Sequence, residues 1–367
     1  FTLPLLVIWL SNPIMSLVDT AVVGMKSSAE LAALGPATAV CDNITYVFTF
    51  LASVTTALSA AAIGKGDKVA EYRSITSGLT LAAIMGLGLT AFLWQYGPVL
   101  LKIFFGGSKM KMLELMPYSL SYVRIRAIGM VAVCMQIVCQ GACMAQKNTI
   151  TPLQVCAVSA GVNVVLDVFM VMGMGMGISG AALATMLAQV AGSVILVKRV
   201  LAPIPRRYLK LPKAPCVKEF LRLGIPTALA VFGQCLTTFM VTVAASSCSA
   251  VSLAAHQVVY SLFILFCPIG EALCQTAQVL GSWVAGWLGI KSKKPRLTFS
   301  QPAVHLLKMI GFTAVVLGAV DAFLAYLIPN AVPFIFTPDA AVWRSMRSIS
   351  PHVGLVLATH ALSMLMQ

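Results

Sequence analysis

The chain has 367 residues, of which 59% are hydrophobic and only 10% charged, and its formal net charge is +14. Soluble domains carry charge on roughly a quarter of their residues, so this composition excludes an ordinary soluble enzyme or binding module and describes a polytopic membrane protein. The basic residues are spread over loops rather than gathered on one face, which argues against a nucleic-acid surface and for a role in membrane orientation.

A helix crosses the hydrocarbon core with about 20 apolar residues. Strands of a membrane barrel would alternate polar and apolar residues instead, so the expected fold is all-α and polytopic, with roughly ten spans at that helix length. In chain order, spans 1 and 2 are predicted over 1–23 and 29–63, spans 3 and 4 over 74–104 and 117–146, and spans 5 and 6 over 152–172 and 178–200. Spans 7 to 10 are predicted over 216–246, 250–288, 301–328 and 340–366.

Between spans 6 and 7 lies a basic stretch, 201–215, with Pro203, Pro205, Pro212 and Pro215 beside Arg206, Arg207, Lys210 and Lys213. Proline clusters punctuate structure, so this stretch is the expected linker between an N-lobe (1–200, six spans) and a C-lobe (216–367, four spans). The two halves resemble each other. Glu30-Leu31-Ala32-Ala33 aligns with Ser252-Leu253-Ala254-Ala255, each opening a second span, and Ile103-Phe104 aligns with Ile335-Phe336. A direct repeat of six helices gives two pseudo-symmetric lobes, and it predicts two more helices beyond Gln367 in the second lobe.

Loop charge sets the expected topology. Loops after spans 2, 4, 6 and 8 carry 16 Lys and Arg residues, against 6 in the opposite loops. By the positive-inside rule the richer side, and with it the N-terminus, faces the cytoplasm or, in a plastid, the stroma. Phe1 already lies in an apolar segment, so any targeting sequence is expected upstream of it. The 10 cysteines include Cys134, Cys139, Cys143 and Cys156 within apolar segments and form no Cys-x-x-Cys pair, so they read as small packing residues and no metal site is expected.

The chemistry-bearing positions are the acids. Glu30, Asp67, Glu71, Glu114, Glu219 and Asp339 fall in loops or at helix ends and read as solvated. Asp19, Asp42, Asp167, Glu271 and Asp321 fall at membrane depth. An ionisable group there is costly and marks ion or proton sites, because desolvation disfavours the charged form of a carboxylate. For Asp19 the plainer reading is a helix-end acid near the interface, and for Asp167 a buried acid held by a structural hydrogen bond. Asn163 precedes Asp167 by one helical turn, so both project from one face. After them comes Gly173-Met174-Gly175-Met176-Gly177-Ile178-Ser179-Gly180, a tight turn that lacks the Lys-Ser/Thr of a phosphate loop. Thr185 then falls in the first turns of span 6, facing span 5 or simply packing.

Five stretches carry a family resemblance: SLVDTAVVG at 16–24, ELAALGP at 30–36, NVVLD at 163–167, GISGAALAT at 177–185 and LAAHQ at 253–257. Together, and in this order, they resemble the multidrug and toxic compound extrusion (MATE) family, in its DinF-like branch. CDNITYVF at 41–48 and GEALCQTAQ at 270–278 look most like the plant plastid-envelope members related to the salicylate exporter. The resemblance implies two six-helix lobes around a central cavity and antiport of organic solutes against H⁺ or Na⁺. It also implies a cation or proton site made by Asp19, Asn163, Asp167 and Thr185, with Na⁺ as the metal ion that site would take and no other cofactor.

Other branches of the family place acids in helices 7 and 10. Here the acids nearest those helices are Glu219 and Asp339, at their starts, which favours coupling in the N-lobe. Asp42, Asn43, Gln257, Glu271 and Gln275 are candidates for the cavity and its solute, although the polar face of span 8, which also carries Gln278, serves equally for bonding between helices. Arg124 and Arg126 either attract an organic anion or lie at the interface, and His256 reads as a packed residue.

The expected function is therefore secondary active export of a small organic solute, an organic anion or an aromatic, xenobiotic-like compound, across a chloroplast or plastid-envelope membrane. The expected partners are the lipid bilayer and the solute, with a monomeric protein and no nucleic acid. The alternative is a transport-inactive subunit of a larger membrane complex that keeps the fold. An intramembrane prenyltransferase needs clustered acids for Mg²⁺ and diphosphate, and the acids here stand apart on different helices.

Overall fold

In a computed structural model, residues 2–105, 109–209, 214–248, 250–287, 301–331 and 340–365 are described. They are almost entirely helical, with no strand among them. The helices are α1 (Thr2–Lys26), α2 (Ser28–Val47), α3 (Phe50–Gly64), α4 (Lys68–Phe104), α5 (Lys109–Ile128), α6 (Met130–Ala145), α7 (Ile150–Asp167), α8 (Ile178–Leu201), α9 (Ala214–Cys248), α10 (Ala250–Trp287), α11 (Gln301–Ala331) and α12 (Ala340–Leu365). Among the described residues six helical stretches are long and apolar enough to cross a membrane, or seven with the bent pair described below. The chain is thus a multi-pass helical membrane protein, as its composition predicts.

Two predicted spans are broken helices. Span 2 is α2 and α3, interrupted at Phe48–Thr49, where the Thr49 hydroxyl donates to the Tyr46 carbonyl at 2.7 Å and the amides of Phe48 and Thr49 close tight i→i−3 turns. Span 4 is α5 and α6, bent by 53° at Gly129. There the Thr90 hydroxyl donates to the Ala127 carbonyl at 2.7 Å, satisfying an oxygen that the bend turns outward. Local hydroxyls that re-satisfy the backbone are what make such breaks tolerable in lipid. α4 also begins earlier than span 3, because Asp67 caps it by accepting the Ala70 amide at 2.9 Å.

The helices form two compact units. One comprises Ser11–Val231 and the other Phe1–Leu10 with Phe232–Gln367. In the first unit, Tyr122, Leu51, Ile75, Leu93, Met130, Leu196 and Phe220 are fully buried in one continuous apolar core. Helix packing in membranes relies on close backbone approach through small residues. A Cβ on Gly86 would lie 2.6 Å from Val131 Cα, and one on Gly141 would lie 2.6 Å from the Ala52 carbonyl, which ties α4 and α3 tightly to α6. The second unit packs α10 and α11 on α12 in the same manner. Gly318 meets the Ala358 carbonyl, Gly354 meets the Ala322 carbonyl, and Phe266, Ala325 and Leu357 share a buried cluster.

Several residues are placed differently from the sequence reading. Glu71 is 1% exposed rather than solvated, and it accepts from Gln146 Nε2 and Lys68 Nζ, each at 2.9 Å. Glu30 sits near a helix start as predicted, but its carboxylate accepts the Ile178 amide at 2.5 Å and caps α8 from a helix far away in sequence. Arg126 is buried, whereas Arg124 is exposed and lies over the Trp94 ring at 5.8 Å. Ile335-Phe336, Glu114 and His256 lie outside the residues or side chains described.

Candidate functional site

α7 and α8 set the geometry. Gly180, Ala184, Ala188 and Gly192 repeat every fourth residue on α8 and are all buried. A Cβ on Gly192 would strike the Ser159 hydroxyl on α7, so the two helices touch backbone to side chain there. Polar side chains on facing turns are thereby brought within reach of each other. α7 ends at Asp167 and continues as a π-helical turn, Val168–Gly173. The widened turn is fixed by the Met174 amide, which donates to the Phe169 carbonyl at 2.9 Å. Turns of this kind are uncommon and concentrate at functional positions.

The glycine-rich segment then reverses the chain. Gly175 and Gly177 have φ of +69° and +59°, a region side chains with a Cβ rarely adopt. Gly177 also abuts the Glu30 carboxylate, which leaves no room for a Cβ. Glu30 places a negative charge at the positive end of α8, and this fixes the start of the helix that carries Thr185.

Asp19, Asn163, Asp167 and Thr185 meet in the interior of the first unit, at 5%, 1%, 0% and 9% exposure. The Thr185 hydroxyl lies 3.2 Å from Asp19 Oδ2 and 2.8 Å from the Ala181 carbonyl. Asn163 Nδ2 approaches the Thr185 oxygen at 3.5 Å. The Asp167 carboxyl lies against both Asp19 and Asn163. α1, α7 and α8 thus converge on one polar cluster, which the sequence could place on three separate helices only.

The cluster is rich in acceptors. Among the described residues, Asp19 Oδ1, Asn163 Oδ1 and both oxygens of Asp167 are buried without a hydrogen-bonding partner. A buried oxygen without a donor is costly, and two neighbouring carboxylates repel. One positive charge relieves both problems, whether a proton shared by the carboxyls or a hard cation taking oxygen ligands. No group of three or more His, Cys, Asp or Glu that could hold a metal ion occurs among the described residues.

Asp42 and Asn43 are not among the side chains that meet there. Both are exposed on α2 in the same unit, and Asp42 Oδ1 pairs with Arg126 Nη2 at 3.2 Å. In the other unit Glu271 and Gln275 are half-buried on α10, and the side chain of Gln257 lies outside those described. Asp321, for which the sequence offered no account, is buried on α11 with Oδ1 unpartnered, and His360 on α12 stands edge-on to Phe263 at 5.8 Å. Sequence reading missed the Glu30 cap, the Glu71–Gln146 bond and the Asp42–Arg126 pair. The signal for the first was present, since an acid beside a turn of glycines is a ready cap, but its partner is 148 residues away.

Fold and cluster together define a polytopic helical membrane protein with a cluster of buried side-chain oxygens inside its first unit. The MatE family model matches residues 4–169. Over that stretch the chain matches the MATE family, and it is homologous to the Arabidopsis chloroplastic DETOXIFICATION proteins and to DNA damage-inducible protein F. It is 29% identical over 351 residues to DETOXIFICATION 47, chloroplastic, of Arabidopsis thaliana, covering 95% of this chain and 62% of that protein. It is 30% identical over 190 residues to DNA damage-inducible protein F of Escherichia coli, covering 52% of this chain and 40% of the relative. This chain therefore spans less than two thirds of either relative. A crystal structure of MATE in the bent conformation superposes with a TM-score of 0.83 at 19% identity, covering 99% of this chain and 79% of that one. An outward-facing multidrug resistance MATE family transporter superposes with a TM-score of 0.79 at the same identity, again covering 99% and 79%. These likenesses fix the fold.

Proposed function

We propose that the chain belongs to a secondary active antiporter that exports a small organic solute in exchange for H⁺ or Na⁺. The carrying observation is the set of buried, unpartnered oxygens of Asp19, Asn163 and Asp167. Asp19 and Asp167 take the proton or the cation, the Asn163 carbonyl completes an oxygen cage, and Thr185 orients Asp19. The Thr185 hydroxyl has one proton to give. With Asp19 ionised, that proton is shared between Asp19 and the Ala181 carbonyl. With Asp19 protonated, the carboxyl donates to Thr185, which donates wholly to Ala181. Each charge state thus has its own hydrogen-bond arrangement of α1 against α8. A ligand shifts a two-state equilibrium only by binding the states unequally, and this rearrangement supplies the inequality.

We further propose that 1–200 and 216–367 are lobes of one direct repeat joined by 201–215, on the support of the ELAA and SLAA pairing. Asp42, Asn43, Gln257, Glu271 and Gln275 are assigned to the solute path, since the described ones among them are exposed or half-buried polar residues on membrane helices. A plastid membrane, with the basic loops on the stromal side, agrees with the chloroplastic relatives. The experiment is flux in vesicles under an imposed pH or Na⁺ gradient with Asp167→Asn. The proposal expects the gradient-driven flux to disappear, and undiminished flux would sink it.

A further inference from the structure

We propose that the turn Arg206–Tyr208, together with Arg73 on α4, binds the headgroup of an anionic phospholipid. The inference goes beyond the transport reading and does not depend on it. α8 and α4 are both long and apolar enough to cross a membrane, over Ile178–Leu201 and Lys68–Ile103. The Tyr208 ring, seven residues past the end of α8, lies 5.6 Å from the Tyr72 ring near the start of α4. The end of one span and the start of the other therefore share one bilayer surface. The chain does not leave that surface at once. Ile204 is buried in the core of the first unit, and Tyr208 packs against the same core. Between them the Tyr208 amide donates to the Pro205 carbonyl at 2.9 Å, and the Leu209 amide donates to the Arg206 carbonyl at 3.1 Å. This closes a 3-10 turn whose apolar ends are docked and whose arginines face outward.

The charges around the turn are used unequally. Lys68 pairs with Glu71 at 2.9 Å, and Arg199 donates to Gln154 Oε1 at 2.8 Å. The acids are also committed, Asp67 to the Ala70 amide and Glu71 to Gln146 as well as Lys68. By contrast Arg73, Arg206 and Arg207 are exposed, and none of their guanidinium groups donates to a described residue. Arg207 stands over the Tyr208 ring at 5.0 Å. Stacking uses the face of a guanidinium and leaves its N–H edge pointing outward, and that edge grips phosphate oxygens bidentately. Leu209, next to the arginines, is 46% exposed. An apolar side chain beside cations fits the boundary of acyl chains and headgroups better than an acidic protein in water. Tyrosines at this level are the usual interfacial anchors, and basic residues there draw anionic lipids in preference to neutral ones. Bound lipid would hold the linker turn against the start of α4.

Native mass spectrometry of the full chain in detergent tests this, with phosphatidylglycerol and phosphatidylcholine as probes. Phosphatidylglycerol is expected to bind the more tightly. Arg206→Gln combined with Arg207→Gln is expected to weaken it by about fivefold for each charge removed, with phosphatidylcholine unchanged. Lys218→Gln combined with Arg222→Gln removes two exposed cations near the start of α9 and is expected to change little. Equal losses in the two double variants would mean diffuse attraction to net charge and would overturn the site. Inorganic phosphate that displaces phosphatidylglycerol at equal concentration would make the ligand a free anion and overturn the lipid assignment. Arg207→Lys keeps the charge and loses the planar fork, so a partial loss is expected. That variant decides alone if the double variant does not fold, and binding identical to wild type would then count against the site. Lipid binding is read without any flux, so its failure leaves the antiport proposal untouched.

Discussion

The Thr185 hydroxyl lies 3.2 Å from Asp19 Oδ2, joining residues 166 positions apart in sequence. This contact ties α1 to α8 at the level where Asn163 and Asp167 project from α7, and it converts three apolar helices into one polar site. Thr185→Ala removes a donor from a buried carboxylate, a loss of about 1–3 kcal/mol. The expected result is a several-fold tighter proton affinity, because the ionised Asp19 loses its donor, with the fold retained, and Thr185→Ser restores most of the original value. An ion titration of gradient-driven flux in vesicles checks both variants. Equal behaviour of Ala and Ser would assign Thr185 to packing alone.

Gly177→Ala is expected to destabilise the protein by more than about 1 kcal/mol. The residue has φ of +59°, and a Cβ there collides with the Glu30 carboxylate that caps α8. Thermal unfolding in detergent measures the loss. Gly161→Ala is the control, since a Cβ on that helical glycine meets nothing within 4 Å.

Glu71→Ala leaves the side-chain amide of Gln146, the residue just past α6, without its 2.9 Å acceptor inside the first unit. Gln146 is itself exposed and recovers water, so the loss is the net worth of the bond, about 0.5–1.5 kcal/mol. Denaturation of the variant should show a loss in that range, and Glu71→Gln, which keeps an acceptor, should lose less. The Lys68 pair adds little, because that lysine side chain is 68% exposed.

Gly192→Val is expected to wedge α7 from α8 at Ser159, where even a single Cβ does not fit. Because Asn163 and Thr185 face each other across the same pair of helices, the variant should lose ion affinity as well as stability. Ser159→Gly on the same background relieves the clash and should recover part of both.

Much of this site was legible in the sequence, for identifiable reasons. The Asn163–Asp167 spacing is a local property of one helix, so their common face follows from helical geometry. The meeting of Asp19 with Thr185 depends on how α1 and α8 pack, and only the family resemblance brought those residues together. Breaks were legible unevenly. Gly129 offers a signal for the bend between α5 and α6, whereas Phe48–Thr49 has no glycine or proline at the break, and Pro36 lies well upstream within α2. The π-helical turn after Asp167 leaves no mark, because Val168–Gly173 is as apolar as the helix it interrupts. Glu71 was misplaced because charge near a helix end reads as solvated until its partner, Gln146, 75 residues away, is known.

The central claim is that Asp19 and Asp167 hold the coupling charge. Carboxyl and carboxylate infrared bands of the purified protein, followed through pH and Na⁺ titration, test it most directly when wild type is compared with Asp19→Asn and Asp167→Asn. The account predicts a carboxyl transition in the wild type that responds to the coupling ion and is lost or displaced in each variant. A transition identical in all three proteins would contradict it.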